Sequence, residues 1–140
     1  MKANIAYLDA NFFIASQITS HPFYNSVQRV LTRNETVLLC YSILTLDEVL
    51  YTFTKYKTDK EIICKTLKTN LLDNPKMIKL IQGNNPIFYE EYLETWKNSG
   101  LKPRDAMHLH YMQQNHITKI ATFDEDFIKN KKKLEIEILK

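Results

Sequence analysis

Short apolar runs alternate along this chain with stretches of helical spacing. Ile5-Ala6-Tyr7-Leu8 is long enough for a buried strand and too short for a helix. It ends on Asp9, and Asn11 is a good cap for a helix starting at Phe12. His21-Pro22 breaks the chain, and Phe23, Val27, Val30 and Leu31 then recur at helical spacing up to Arg33-Asn34. Thr36 to Tyr41 is a second run of strand length. Ser42 can cap the next helix, Ile43 to Tyr56, whose Ile43, Leu46, Val49, Leu50 and Phe53 form an apolar stripe.

A further helix, Asp59 to Leu72, is expected to turn Ile62, Ile63, Leu67 and Leu71 inward and Lys60, Lys65 and Lys68 outward, until Asp73-Asn74-Pro75 stops it. Met77 to Ile81 alternates as a short strand, and Gly83-Asn84-Asn85-Pro86 reads as a loop. Phe88 to Lys97 is a helix with Tyr89, Tyr92 and Trp96 at core spacing, closed by Gly100. Lys102-Pro103-Arg104-Asp105 opens another, running to Asn115. Ile117 to Ala121 is a fourth strand, followed by a short helix beyond Thr122. Lys131-Lys132-Lys133 reads as a solvated turn, and Leu134 to Ile138 alternates as a strand with one wet face. Strands separated by helices predict a parallel α/β sheet with helices on both faces. With 140 residues and no linker or repeat, one domain over 1–140 is expected.

Composition narrows the chemistry. Hydrophobic residues at 44% and charged residues at 25% describe a globular chain that can bury a core. A net charge of +3 permits nucleic acid as a partner without announcing it. The only two glycines, Gly83 and Gly100, exclude Gly-rich phosphate loops. Cys40 and Cys64 lie in apolar-patterned segments without CxxC spacing, so they read as buried thiols in a reducing cytoplasm. No signal peptide and no membrane-spanning run is expected.

Four acids stand at the ends of these elements. Asp9 leaves the first strand, Glu48 lies early in the helix after the second, and Asp124 leaves the fourth. Helices after parallel strands begin at the carboxyl edge of the sheet, so these three should share that edge. Asp105 opens the helix leading into the fourth strand, and spacing alone does not bring it there. Converging carboxylates repel one another and persist when cations occupy the site. Oxygen ligands suit Mg2+ or Mn2+ rather than zinc. Two such ions can activate a water and stabilise a leaving oxygen in phosphodiester cleavage. The apolar stripe does not decide between Asp47 and Glu48.

Leu8-Asp9-Ala10-Asn11, Thr45-Leu46-Asp47-Glu48, Asp105-Ala106-Met107-His108-Leu109 and Ala121-Thr122-Phe123-Asp124-Glu125-Asp126-Phe127 occur in the order found in PIN-domain ribonucleases. The chain resembles that family, and in size the toxin half of a VapBC-type toxin–antitoxin pair. The resemblance implies a three-layer α/β/α fold with sheet order 3-2-1-4-5 and a Mg2+- or Mn2+-dependent endoribonuclease. It implies Asp9, Glu48, Asp105 and Asp124 as metal-binding catalytic acids, with Glu48 favoured over Asp47 by the Thr-x-x-Glu pattern. Family position likewise favours Asp124, leaving Asp126 as a charge at a helix start. An RNA substrate, an antitoxin and a homodimer are the partners implied.

Other residues have plainer readings beside functional ones. Asn11 and Thr122 suit a role orienting carboxylates or waters, and capping explains them equally. Lys102 and Arg104 adjoin Asp105 and are candidates for RNA phosphates. His108 and His110 invite a metal reading, but two apart on a helix they point away from each other, and neither spacing nor the family supports them as ligands. The apolar load of Phe12, Phe13, Ile14, Phe23 and Tyr24 suggests a groove or self-association face. A dehalogenase-type phosphatase would need Asp-x-Asp-x-Thr where Asp9, Asn11 and Phe13 stand, and a phospho-receiver would leave Glu48 and Asp105 without a role. The competing reading is a PIN-like module that binds RNA or protein without cleaving.

Overall fold

In the computed structural model, which describes residues 4–56, 59–81 and 85–140, the strands are Ile5–Leu8 (β1), Leu38–Tyr41 (β2), Met77–Lys79 (β3), Lys119–Ala121 (β4) and Glu137–Ile138 (β5). All pair in parallel in the order β3-β2-β1-β4-β5, the order that the resemblance implies. The helices are Ala10–Gln17 (α1), Tyr24–Arg33 (α2), Ile43–Lys55 (α3), Lys60–Leu67 (α4), Phe88–Ser99 (α5), Pro103–Gln114 (α6), Glu125–Lys129 (α7) and Lys131–Leu134 (α8). Helix α4 runs on through a π-helical turn, Lys68–Leu72.

The period-2 geometry of the central strands sends neighbouring side chains to opposite faces. Ala6, Leu8, Leu39 and Tyr41 enter a core with Phe12, Phe13, Val27, Val49 and Leu71. Tyr7, Cys40 and Ile120 enter a second core with Phe88, Leu109, Met112 and Phe127. The sheet is thus covered on both sides, in three α/β/α layers. Among the described residues no helix is long and apolar enough to cross a membrane.

Several expectations change. Asp9 caps α1, not Asn11: its side chain accepts from Ala10 N at 2.8 Å, and the helix starts two residues earlier than Phe12. Phe12, Phe13 and Ile14 are buried in the core, so they leave no apolar face on α1. Tyr89 and Trp96 are exposed, because the buried side of α5 is Phe88, Tyr92, Thr95 and Ser99, spaced i, i+4, i+7, i+11. Ile43, Leu50 and Ile62 are exposed as well, so the inward stripes of α3 and α4 are narrower than the apolar pattern. Cys64 is exposed, while Cys40 is buried. Lys131–Leu134 forms one helical turn ended by Glu135 at φ 55, which leaves only two residues of β5. The alternating burial of Leu134, Ile136 and Ile138 nevertheless holds. Gly100, at φ 73, closes α5 in the left-handed region that glycine enters without strain. The loop expected at Gly83–Pro86 lies in part outside the described residues.

Candidate functional site

The carboxyl edge of the sheet collects the acids for a topological reason. Helices α1, α3 and α7 start where β1, β2 and β4 end, which puts Asp9, Glu48 and Asp124 there. Helix α6 instead delivers the chain to the start of β4. Its own first turn lies about 18 Å back, the rise of a helix of this length, and so reaches the opposite end of the strands. Asp105 sits in that first turn. This is the placement that spacing left open.

Two crossings are tied together by hydrogen bonds. Asp9 is buried, and its Oδ2 accepts from Thr122 Oγ1 at 2.7 Å. Thr122 Oγ1 accepts in turn from Asp124 N at 2.9 Å and from Asn11 Nδ2 at 3.5 Å, while Asn11 Oδ1 accepts from Phe123 N at 3.1 Å. Asn11 and Thr122 therefore hold the β1 and β4 ends side by side. Asp124 caps α7, its Oδ1 accepting from Asp126 N at 2.8 Å. Asp47 is exposed, and Glu48 reaches into the cleft to meet His108 Nε2. Lys102 and Arg104 are exposed at the start of α6.

His108, set aside as a ligand on sequence grounds, stands in the structure in a group that could hold a metal, with Asp9 and Glu48. It lies one turn beyond Asp105 on α6, so the two share a helix face; that i, i+3 relation was the available signal. Its Nε2 also lies 3.8 Å from Asp9 Oδ1. His110, two residues on, points away as the spacing predicted, and packs its ring 4.4 Å from that of Phe88.

Ligand atoms of Asp9, Glu48 and His108 lie within 4.8 Å of one another, and so do those of Asp105, Asp124 and Asp126. The second group presents carboxylate oxygens alone, a donor set for a hard divalent cation. It includes both Asp124 and Asp126, so the structure separates them less than the sequence reading did. The groups share one electrostatic environment. Burial pushes the Asp105 carboxyl up to about 6, with the charges of Asp124, Asp9 and Asp126 adding and His108 opposing. Burial also raises the Asp9 carboxyl against the pull of His108 and Thr122, with Glu48 adding to the rise. For His108 burial favours the neutral ring, but the hydrogen bond to Glu48 and the charges of Asp9, Glu48 and Asp105 together raise its pKa. Crowded acids beside one imidazole, in a cleft without a further buried cation among the described residues, could hold a metal ion.

A model of the PIN domain matches residues 6–133. The chain belongs to the PIN domain family. No curated protein matches it. Among solved structures, VapC20 from Mycobacterium tuberculosis, a sarcin–ricin loop cleaving toxin, is similar at 15% identity and a TM-score of 0.68, covering 89% of this chain and 93% of that one. VapBC2 from Rickettsia felis, solved bound to a DNA fragment from its promoter, is similar at 18% identity and a TM-score of 0.62, covering 96% of each chain. FitAcB from Neisseria gonorrhoeae is similar at 15% identity and a TM-score of 0.62, covering 97% of this chain and 96% of that one. At such identities the likeness is one of fold.

In this PIN domain a pH dependence is expected if Asp105 ligates a divalent ion. Its carboxyl, ordinarily near 3.8, keeps its proton up to about 6 in the folded protein. A divalent ion requires the carboxylate, so affinity should fall as pH drops below that value, by roughly tenfold between pH 7 and pH 5. Calorimetric titration with Mn2+ at the two values measures it. An affinity flat across this range would remove Asp105 from the ligand set.

Proposed function

We propose that this PIN domain is a metal-dependent endoribonuclease, the toxin of a toxin–antitoxin pair, with Asp9, Glu48, Asp105 and Asp124 holding Mg2+ or Mn2+. The observation that supports the reading is the pair of acid groups at one sheet edge, Asp9 and Glu48 with His108 and Asp105 and Asp124 with Asp126, with three of the proposed acids following separate strands of the sheet. When bound, such an ion supplies a water of lowered pKa and positive charge against the phosphate oxygens. The chain's own residues do the positioning. Thr122 and Ala10 N fix both Asp9 oxygens, so the buried carboxylate has one orientation. Asp124 is fixed through its cap bond to Asp126 N, and Asp126 adds a further carboxylate beside Asp105. Lys102 and Arg104, exposed at the start of α6 beside Asp105, offer positive charge to an RNA strand that approaches these acids. An antitoxin completes the proposal, supported by the fold shared with VapBC2 and FitAcB, and a second copy of the chain is proposed with it.

The test joins cleavage to melting. Single-stranded and structured RNA should be cut with Mg2+ or Mn2+ and left whole in EDTA. The same ions should stabilise the protein by mass action, by about 2.7 kcal/mol at a hundredfold excess over Kd. Replacing both Asp9 and Asp105 by Asn should abolish cleavage and the stabilisation together. An undiminished metal effect in that double variant would put the ion elsewhere. Metal-stabilised protein that cuts no RNA would favour the binding-module reading.

A further inference from the structure

We propose that His108 is a positioning residue, which holds the Glu48 carboxylate in the cleft and is itself held by a buried chain of hydroxyls. The inference rests on the reading of the cleft as an ion site. The imidazole is 1% exposed and bonded at both nitrogens. Nε2 meets Glu48 Oε1; an ionised carboxylate only accepts, so this nitrogen carries a hydrogen. Nδ1 lies 2.6 Å from the Tyr7 hydroxyl. That hydroxyl, fully buried, lies 2.7 Å from Ser42 Oγ and 3.3 Å from Thr45 Oγ1. Thr45 Oγ1 is 3.1 Å from the carbonyl of Leu8, the residue before Asp9.

Packing alone gives no reason for this chain. An aliphatic side chain of similar volume would fill the space between α6 and the sheet, whereas each buried polar group needs a partner to avoid a penalty. The capping of α3 explains Ser42 and Thr45, which bond each other's backbone and side chain at the start of that helix. It does not explain Tyr7 and His108, which extend the chain outward to Glu48. Glu48 needs such a hold. Its side chain is 25% exposed, has three rotatable bonds, and has His108 as its one side-chain partner among the described residues. The ring lies near Asp9 as well, at 3.8 Å, so one rigid group spaces two acids, one at the end of β1 and one on α3.

The experiment compares His108→Leu, His108→Asn and His108→Gln with wild type and Asp105→Asn. Mn2+ affinity is read by calorimetry without RNA, and kcat and KM are read separately in cleavage. His108→Leu should weaken Mn2+ binding by about ten- to a hundredfold, the usual loss when a partner of a metal ligand is removed. Cleavage should fall through kcat, with KM for RNA unchanged, because the buried ring offers RNA no surface. His108→Asn retains an amide at the Tyr7 side but is too short for Glu48, so it should fail alike while staying folded. His108→Gln reaches the Nε2 position and should restore part of the affinity. Leu and Asn variants that bind Mn2+ within twofold of wild type, while Asp105→Asn does not, overturn the role of His108 alone. Asp105→Asn with wild-type affinity and cleavage overturns the four-acid reading and this inference with it. A Gln variant as impaired as Leu also overturns it.

Discussion

Asp105→Asn should cut the proposed RNA cleavage by about 100-fold or more, since loss of a residue proposed as a direct metal ligand is expected to reach at least the upper end for residues that merely support one. Asn keeps the shape, so the fold should survive. The direction of the stability change separates the two roles. As a plain helix-start charge, Asp105 would be stabilising by about 0.3–1 kcal/mol, and Asn would lower the melting temperature. The folded carboxyl instead lies above its ordinary value, at about 6, because burial and then Asp124 and Asp9 outweigh the pull of His108. A raised carboxyl favours the native state below 3.8, and that contribution is lost as pH rises to about 6. At pH 7 the charged Asp105 therefore costs the ion-free protein something on the order of 1 kcal/mol after solvent screening, which Asn removes. Relative to wild type, the ion-free variant should gain stability between pH 4 and pH 7. Melting and cleavage should be measured on one preparation. An early-melting variant that cleaves normally per folded molecule would make Asp105 a cap and sink the four-acid site.

Phe13→Ala should lower stability by about 3–5 kcal/mol, the range for truncating a buried aromatic that leaves a cavity. Phe13 is 1% exposed and belongs to the core on the α1 side of the sheet, with Leu8, Val27 and Val49. Its amide also closes the first turn of α1 on the Asp9 carbonyl, at 3.3 Å. Such a loss is a large part of the roughly 5–15 kcal/mol that keeps a domain folded. Urea unfolding would read it, and cleavage per folded molecule should stay close to wild type at low temperature. Phe23→Ala is the contrast. Phe23 is 46% exposed and stacks on Phe123, with ring centroids 4.6 Å apart, so its loss should cost under about 1.5 kcal/mol. Equal costs at the two positions would mean that α1 is not anchored through Phe13.

The sequence by itself determined the first four strands in outline, most of the helices between them and the places of three acids along the chain. Those features are local: a short apolar run such as Ile5–Leu8 is legible because burial on both faces demands it, and a carboxylate at the run's end needs no tertiary knowledge. The family motifs added the sheet order and the choice of Glu48 over Asp47. The side of a helix that faces the core was less legible. Tyr89 and Trp96 share apolar character with Phe88, yet only the packing of α5 on α6 decides which of them is covered. A short two-residue β5 was hidden because an alternating pattern records burial, and burial continues through Leu134 and Ile136 without a hydrogen-bonded ladder.

The tertiary structure alone decided how the acids are arranged. Asp105 reaches the carboxyl edge because α6 must lead back to β4, a constraint of chain path rather than of residue spacing. His108 enters the site through contacts with Tyr7, Asp9 and Glu48, at sequence separations of 101, 99 and 60 residues. No local pattern encodes such pairings. Histidine on an apolar helix face has the same sequence signature whether it packs against Phe88, as His110 does, or spaces two carboxylates, as His108 does. The difference is made by which charged groups the folded chain brings to each nitrogen.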